Sequence, residues 1–517
     1  MVMKGRLNEL PDELILTILS KLPTFKESVA TRLISRRYEV PWNLAQDVTL
    51  EDNDEESLIS FVYGSLLSED APVLERLHLK LNRYHSASAI DFLVQTAVNR
   101  NLRKLRFDLF GETLETLPSC LSSCTTLKSL ILREVSIVVV PYDFRLPSLK
   151  SLHLFSVKFL GLESVASLLR SCPVLEYLVL NRTRCDVVDV NSEFSPLWFC
   201  LSSLKSLHLC SVIFSGNNSV TRLLRRCPVL ESLVINQTKC DYEMFEVDFP
   251  PRSCLSSLKS LHLSSVNFSC DESVAKLLES CKALEDLFIT RTKYDNVWLF
   301  NITVPTLKSL SINNAKVKRA DAPGFAINAP ALERLNVKDR VSNFMMFGYM
   351  PEVTTANIEV VCEQTENFIG SLTFIQHLSL CSPTSKTPYT SGTVFFFLEH
   401  LELCTCSARW ADLLGSILND APRLQSIKLK SKCGAGFKRP MELWNEPIVV
   451  PECLAKHLEF LEWREYDGTE QERKVAAYIL ASATCLKMAT FSTRCGDKCT
   501  ELNKMSRVSE ICQLVFE

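Results

Sequence analysis

The chain has 517 residues, 46 % of them hydrophobic and 23 % charged, and 57 Lys+Arg against 60 Asp+Glu leave a formal net charge of −3. This balance argues against a polybasic nucleic-acid binder, and the apolar content excludes disorder on a large scale. No run of 18 apolar residues occurs and the opening MVMKGRLNELPDELILTILSKLP carries acids where a secretory signal is apolar, so we expect no membrane insertion, a cytoplasmic and/or nuclear protein, and 21 reduced cysteines.

The first element is a small helical unit over residues 7–44. Leu10-Pro11-Asp12-Glu13 places proline and acids in the first turn of a helix, and Leu14, Ile18, Leu19 and Leu22 lie on one face until Pro23 ends it. A second helix is predicted from about Glu27 to Ser35. The unit reads either as an N-terminal cap for the rest of the chain or as an amphipathic docking module, because so small a fold gains stability by burying a face on a partner.

Next comes a repeat. SLKSLHLFSV from Ser148, SLKSLHLCSV from Ser203 and SLKSLHLSSV from Ser257 share the pattern L-x-x-L-x-L, which recurs with drift seventeen times. The copies start at Leu74, Leu102, Leu127, Leu149, Leu175, Leu204, Leu230, Leu258, Leu284, Leu307, Leu332, Val353, Ile375, Leu398, Leu424, Leu458 and Leu486, and those from Val353 onward are degenerate. The spacing averages about 26 residues, inside the leucine-rich-repeat window. The second and third leucines alternate with polar residues as on a strand with one buried face, so each copy is expected to supply one strand of a curved parallel sheet. Between copies, SVASLLRSC, SVTRLLRRC and SVAKLLESC predict short helices behind the sheet, each opened by a capping serine. Cys172, Cys227 and Cys281 hold one equivalent position, where a small apolar side chain fits a regular core.

From Val449 the pattern changes to a strand, a turn at Asp467-Gly468, an amphipathic helix to about Ala483 and a final strand. Along the whole chain there is no phosphate-binding glycine loop, no H-E-x-x-H pair and no G-x-S-x-G elbow. Cys404-x-Cys406 and Cys495-x-x-x-Cys499 approach metal-ligand spacing without a matching second pair or histidine. His153, His208 and His262 share one outward strand position two repeats apart, about 10 Å between Cα atoms at the usual strand spacing, too far to share one zinc. They read as a polar surface row. We therefore expect no catalytic residue, cofactor or metal.

Two segments carry a family resemblance. LPDELILTILSKLP followed by SVATRLISRRY resembles an F-box, the adaptor-binding module of substrate receptors in SCF cullin-RING ubiquitin ligases, over roughly residues 5–45. Leu10 and Pro11 match its Leu-Pro pair, Leu14, Ile18, Leu19, Leu22 and Pro23 its first helix, and Ile34-Ser35-Arg36-Arg37 its Leu-Ser-Lys/Arg-Arg run, while Tyr38 stands where the family usually has Trp. The segment from Val449 resembles the FBD domain of plant F-box/leucine-rich-repeat proteins through Val450-Pro451-Glu452-Cys453-Leu454, Leu458, Tyr466, Gly468, Glu472, Tyr478-Ile479-Leu480 and Leu486-Lys487.

The expected architecture is an α/β leucine-rich-repeat solenoid with a helical F-box module at 5–45, repeats over 46–445 and an FBD cap over 446–517. The resemblance implies a non-catalytic substrate receptor that binds a Skp-type adaptor, and through it a cullin, using Leu10, Pro11, Leu14, Ile18, Leu19, Leu22, Pro23, Ser35 and Arg37. Substrate capture is expected on the strand face, at the basic positions Arg76, Lys104, Arg106 and Arg133 and the histidines His153, His208 and His262. A leucine-rich interaction scaffold outside any ligase is the alternative.

Overall fold

The structure is a computed structural model. It describes residues 46–51, 73–81, 87–110, 113–159, 164–185, 201–214, 219–237, 239–240, 255–266, 268, 270–291, 297–314, 324–339, 342, 344–360, 369–381, 392–432, 441–493 and 496–517. The chain forms two compact units, one up to Leu258 and one from Lys259.

In the first unit the described residues form a parallel ladder whose strands pair strictly in chain order: Asp47–Glu51, Arg76–Lys80, Lys104–Asp108, Ser129–Arg133, Ser151–Phe155, Tyr177–Asn181, Ser206–Cys210 and Ser232–Asn236. The register is constant, so Leu130, Leu152, Leu178, Leu207 and Leu233 lie side by side, as do Leu132, Leu154, Leu180, Leu209 and Ile235. All ten are at most 1 % exposed, whereas the residues between them are half-exposed. From the strand Arg76–Lys80 onward the leucine two residues ahead of each strand is buried as well, as at Leu149, Leu175 and Leu204. Three apolar residues per repeat thus supply most of the free energy that holds one strand to the next.

Each strand from Ser129–Arg133 onward ends in the same corner. Glu134, Ser156, Arg182, Ser211 and Gln237 have φ between 49° and 55°, the left-handed region, although none is glycine. The turned N–H keeps a hydrogen bond to the next strand: Glu134 donates to the carbonyl of Phe155, Ser156 to that of Asn181, Arg182 to that of Cys210 and Ser211 to that of Asn236, at 2.7–2.9 Å. The corner aims the chain into a second, shorter parallel sheet of two-residue strands: 113–114, 136–137, 158–159, 184–185, 213–214 and 239–240.

Helices α1 (Ala87–Asn99), α2 (Ser164–Arg170) and α3 (Ser219–Leu224) belong to this unit. Cys172 and Cys227 come just after α2 and α3, and each donates its thiol hydrogen at 3.2 Å to the carbonyl four residues back, on Leu168 and Leu223.

The second unit repeats the plan. Its parallel ladder runs Ser260–Ser264, Asp286–Thr290, Ser309–Asn314, Arg334–Asp339, Thr355–Val360, His377–Cys381, His400–Cys404, Ser426–Lys430, Phe460–Trp463, Met488–Phe491 and Gln513–Phe516. Drift in sequence beyond Val353 leaves the parallel pairing in place. A second sheet of 299–303, 324–328 and 345–347 lines its first repeats, where Phe300 meets Phe268 edge-on and Phe325 at a tilt, and the Arg291 guanidinium lies 5.5 Å from the centres of the Phe300 and Phe325 rings.

Helix α4 (Asp271–Ser280) departs from the expected serine cap. It begins ahead of Ser273, with Cys270 at the N-cap and no side-chain cap hydrogen bond. Asp271 and Glu272 fill its first turn, where the helix dipole favours acids. Asp271 also accepts the backbone N–H groups of Trp298 and Leu299, at 2.6 and 3.1 Å, which ties the first turn of the helix to a neighbouring strand.

Helix α5 (Trp410–Asp420) lies between two ladder strands, and α6 (Glu452–Lys456), α7 (Glu470–Ser482) and α8 (Gly496–Asn503) belong to the C-terminal region. Gly468, at φ 65°, turns the chain between the strand 460–463 and α7. Thr469 caps α7 in a reciprocal box with Glu472, whose carboxylate accepts the N–H groups of Asp467 and Thr469. Trp463 packs edge-on to Trp410 and Tyr466 and stacks on Phe491. The turn, α7 and the strand after it match the sequence reading. Helices α6 and α8 and the strand 513–516 are additions to it.

The ladder and its corners can be tested by substitution. Leu209→Ala should cost about 2–5 kcal/mol, read as a drop in thermal midpoint, while His208→Ala should cost less than about 1 kcal/mol. At the corner, Ser211→Gly should be close to neutral, because relief of the left-handed backbone offsets a more flexible unfolded chain. Ser211→Val should lose more than about 1 kcal/mol, since a β-branched side chain tolerates that conformation poorly.

Candidate functional site

The outward residues at the first, third and fifth positions of each strand are the ones placed to meet a ligand. In the first unit they begin with charge. Arg76 makes a two-point ion pair with Asp47 at 2.6–2.7 Å, and Lys80 pairs with Glu51 at 3.2 Å. Arg106 and His78 both bond to the carboxylate of Asp108, at 2.7 and 2.9 Å. Burial alone would raise the Asp108 carboxyl, but hydrogen bonds from His78 and Arg106, and their charges, hold it far below the usual carboxylate range. Of the expected basic positions, Arg76 and Arg106 are thus engaged within the sheet. Lys104 is exposed, and Arg133 is exposed with its guanidinium 5.5 Å from the centre of the Phe155 ring.

The histidines do project outward at half-exposed third positions. Register places Val179 between His153 and His208. His153 bonds to Ser151 Oγ at 2.8 Å, and His262, in the second unit, lies 4.0 Å centre to centre from Phe288. Burial lowers the affinity of His153 and His208 for a proton, the charge of His208 adding to the effect at His153. They are neutral side chains of a surface row at physiological pH. The expected adaptor-binding positions Leu10, Pro11, Leu14, Ile18, Leu19, Leu22, Pro23, Ser35 and Arg37 lie outside the described residues.

The second unit holds a surface that sequence reasoning missed. Third positions of successive strands, Ser311, Asn336 and Asn357, form a hydrogen-bonded row in which Asn336 Nδ2 donates to Ser311 Oγ at 3.1 Å and Asn357 Nδ2 to Asn336 Oδ1 at 3.0 Å. Ser379 donates to Glu402 at 3.1 Å. Lys432 joins these repeats by reaching Asn357 Oδ1 at 3.1 Å, Ser379 Oγ and Glu402 at 2.9 Å. Burial acts to raise the Glu402 carboxyl, but the hydrogen bond and charge of Lys432 prevail and lower it. These side chains, with Lys338, Glu359 and Lys430, line a trough of about 780 Å³. Its polar, amide-rich floor suits a peptide backbone or polar side chains better than an apolar ligand. The visible signal was the middle residue of each L-x-L, polar in every copy from Ser311 to Glu402.

Three thiols also converge in this unit. Cys381 and Cys404 end neighbouring strands and Cys406 lies two residues on, all at most 3 % exposed. Their sulfurs lie within 4.8 Å of one another. Pairwise reading of the sequence saw only Cys404-x-Cys406, because Cys381 is one repeat away. The repeat cysteines Cys172 and Cys281 differ: burial pushes each thiol up to about 12, which keeps it protonated and unreactive.

Comparison with known proteins places this surface in context. A family model for FBD matches residues 446–491, one for the leucine-rich repeats of an FBD-associated F-box protein matches 90–202 and 240–346, and a leucine-rich-repeat model matches 203–228. An FBD-associated F-box protein of Arabidopsis thaliana is 48 % identical over 524 residues, covering 99 % of each chain. Two F-box/FBD/LRR-repeat proteins of the same plant are 39 % and 30 % identical, covering 99 % of this chain and 92 % and 99 % of their own. A solved complex of TLR13 with single-stranded RNA covers 86 % of this chain and 74 % of its own at 14 % identity and a TM-score of 0.32, a likeness that carries no argument. No helix among the described residues is long and apolar enough to cross a membrane.

Asp108 supplies a pH-dependent test. A carboxyl held low in the folded state contributes stability that is present above its unfolded value near 3.8 and is lost as pH falls toward the folded value. Asp108→Asn should therefore cost about 1–3 kcal/mol at neutral pH, measured by denaturant unfolding, and the gap to the wild type should shrink below about pH 4.

Proposed function

Because this chain belongs to the plant family of F-box/FBD/leucine-rich-repeat proteins, we propose that it selects substrates for an SCF-type cullin-RING ubiquitin ligase. Residues 5–45 dock on a Skp-type adaptor and through it a cullin, 46–445 present the substrate-facing strands, and 446–517 close the repeat array. The observation that carries this reading is whole-length kinship to proteins named for an F-box. The alignments cover 99 % of this chain, so they take in the segment holding Leu10, Pro11 and the Ile34-Ser35-Arg36-Arg37 run. Ubiquitin transfer belongs to other subunits, and this chain contributes binding alone.

The strands supply what a receptor needs, a rigid surface of outward side chains in fixed register. In the first unit Lys104 and Arg133 are the exposed cations for an acidic segment of the substrate, supported by Arg76, Arg106 and the row of His153 and His208. His262 holds the equivalent strand position in the second unit, where the trough offers amides and paired charges.

The two activities separate by mutation. Leu10→Ala with Pro11→Ala should abolish co-purification of the adaptor while leaving proximity-labelled partners unchanged. Lys104→Glu with Arg133→Glu should do the reverse, weakening partner capture at fixed salt with adaptor binding intact. A wild-type chain that retains partners but recruits no adaptor would make it an interaction scaffold outside the ligase.

A further inference from the structure

We propose that Cys381, Cys404 and Cys406 bind one thiophilic metal ion through three sulfurs supplied by two successive repeats. The placement comes from the ladder. Leu380 and Leu403 are register partners, so the next residues, Cys381 and Cys404, sit side by side at the fifth strand position. At Phe155, Asn181 and Cys210 that position is half-exposed, yet here both side chains are buried, at 0 % and 3 %. The chain then bends so that Cys406, 1 % exposed, returns its sulfur to the other two.

The distances suit coordination. Cys381 Sγ is 3.7 Å from Cys406 Sγ and Cys404 Sγ is 3.0 Å from Cys406 Sγ. Bonds of about 2.3 Å to a shared ion set sulfurs about 3.8–4.0 Å apart, so the first pair is already placed and the second must open by less than about 1 Å. Both are far longer than a disulfide bond of about 2.05 Å. A cysteine that merely fills space in this fold behaves otherwise: Cys172, Cys227 and Cys281 each turn the thiol onto the carbonyl four residues back. In the triad the sulfurs face one another.

One contact favours an anionic sulfur at Cys404. The backbone N–H of Lys432 donates to Cys404 Sγ at 3.2 Å, and the Lys432 ammonium bonds to Ser379 and Glu402 on the same two strands. Among the described residues no carboxylate or imidazole joins the group, and an all-sulfur donor set selects soft ions over magnesium or calcium. Three buried sulfurs complete the shell of a three-coordinate Cu(I) ion, whereas Zn2+ needs a fourth ligand from outside the triad.

The test uses the full chain, purified anaerobically with a non-thiol reductant and titrated with Cu(I) against a chromophoric competitor, with Zn2+ in the same format, and with Cd2+ read by its thiolate charge-transfer band. One equivalent should bind. Cys381→Ala, Cys404→Ala and Cys406→Ala, which keep a small apolar side chain, should each weaken binding at least 10-fold, with Cys172→Ala and Cys485→Ala as unaffected controls and circular dichroism confirming the fold. Cu(I) uptake without Zn2+ assigns the three-coordinate site; uptake of both assigns a site that recruits a fourth ligand. Absence of stoichiometric uptake by the wild type overturns the proposal, as does a cadmium band of unchanged intensity in a folded variant lacking all three thiols.

Discussion

Everything in this molecule hangs on a constraint of register: two side chains per strand, at its second and fourth positions, must lie beside their counterparts in the neighbouring strand and out of water. A strand shifted by one residue would turn both leucines outward and three polar residues inward. Because parallel pairing repeats that demand at each step, the constraint passes from strand to strand. It fixes which side chains are available for recognition, and it also decides which distant residues become neighbours. His78 and Asp108 meet because their strands are aligned, and the same alignment brings Lys432 to Glu402 and gathers the three sulfurs of Cys381, Cys404 and Cys406.

This explains what the amino-acid pattern disclosed and what it withheld. Each of the seventeen copies, from Leu74 to Leu486, is succeeded two residues later by a strand. That holds even where Val353 or Ile375 replaces the leading leucine, since burial asks for apolar bulk and not for leucine as such. The two outermost strands, Asp47–Glu51 and Gln513–Phe516, escaped the pattern. Ala45 occupies the leading position of one, and Ile511 with Phe516 replaces the leucines of the other. Among the described residues each of these strands has a neighbour on one side only, which relaxes the pattern.

The sites were less legible than the scaffold. Charge counted along the sequence marked Arg76 as part of a basic patch, but the sheet sets Asp47, 29 residues away, against it, whereas Asp108, two residues beyond Arg106 on its own strand, stood in plain view. The amide row of Ser311, Asn336 and Asn357 was hidden as the pairing with Asp47 was. Each residue is an ordinary polar spacer within its own repeat and gains meaning only beside its counterparts 21 and 25 residues away. Periodicity reveals which face a residue occupies; lateral pairing between repeats reveals its chemistry.

The left-handed corners carry a consequence for how the chain is made. At Glu134, Ser156, Arg182 and Ser211 the turned N–H finds its acceptor on the next strand in the chain, never on the one before. Each repeat is therefore left with an open valence until its successor arrives. While these repeats leave the ribosome the chain ends in one such unsatisfied corner, and the next segment to emerge closes it. Assembly acquires a direction, like a zip drawn one way, and a nascent or prematurely terminated product displays its growing end to solvent and to the quality-control machinery that inspects it.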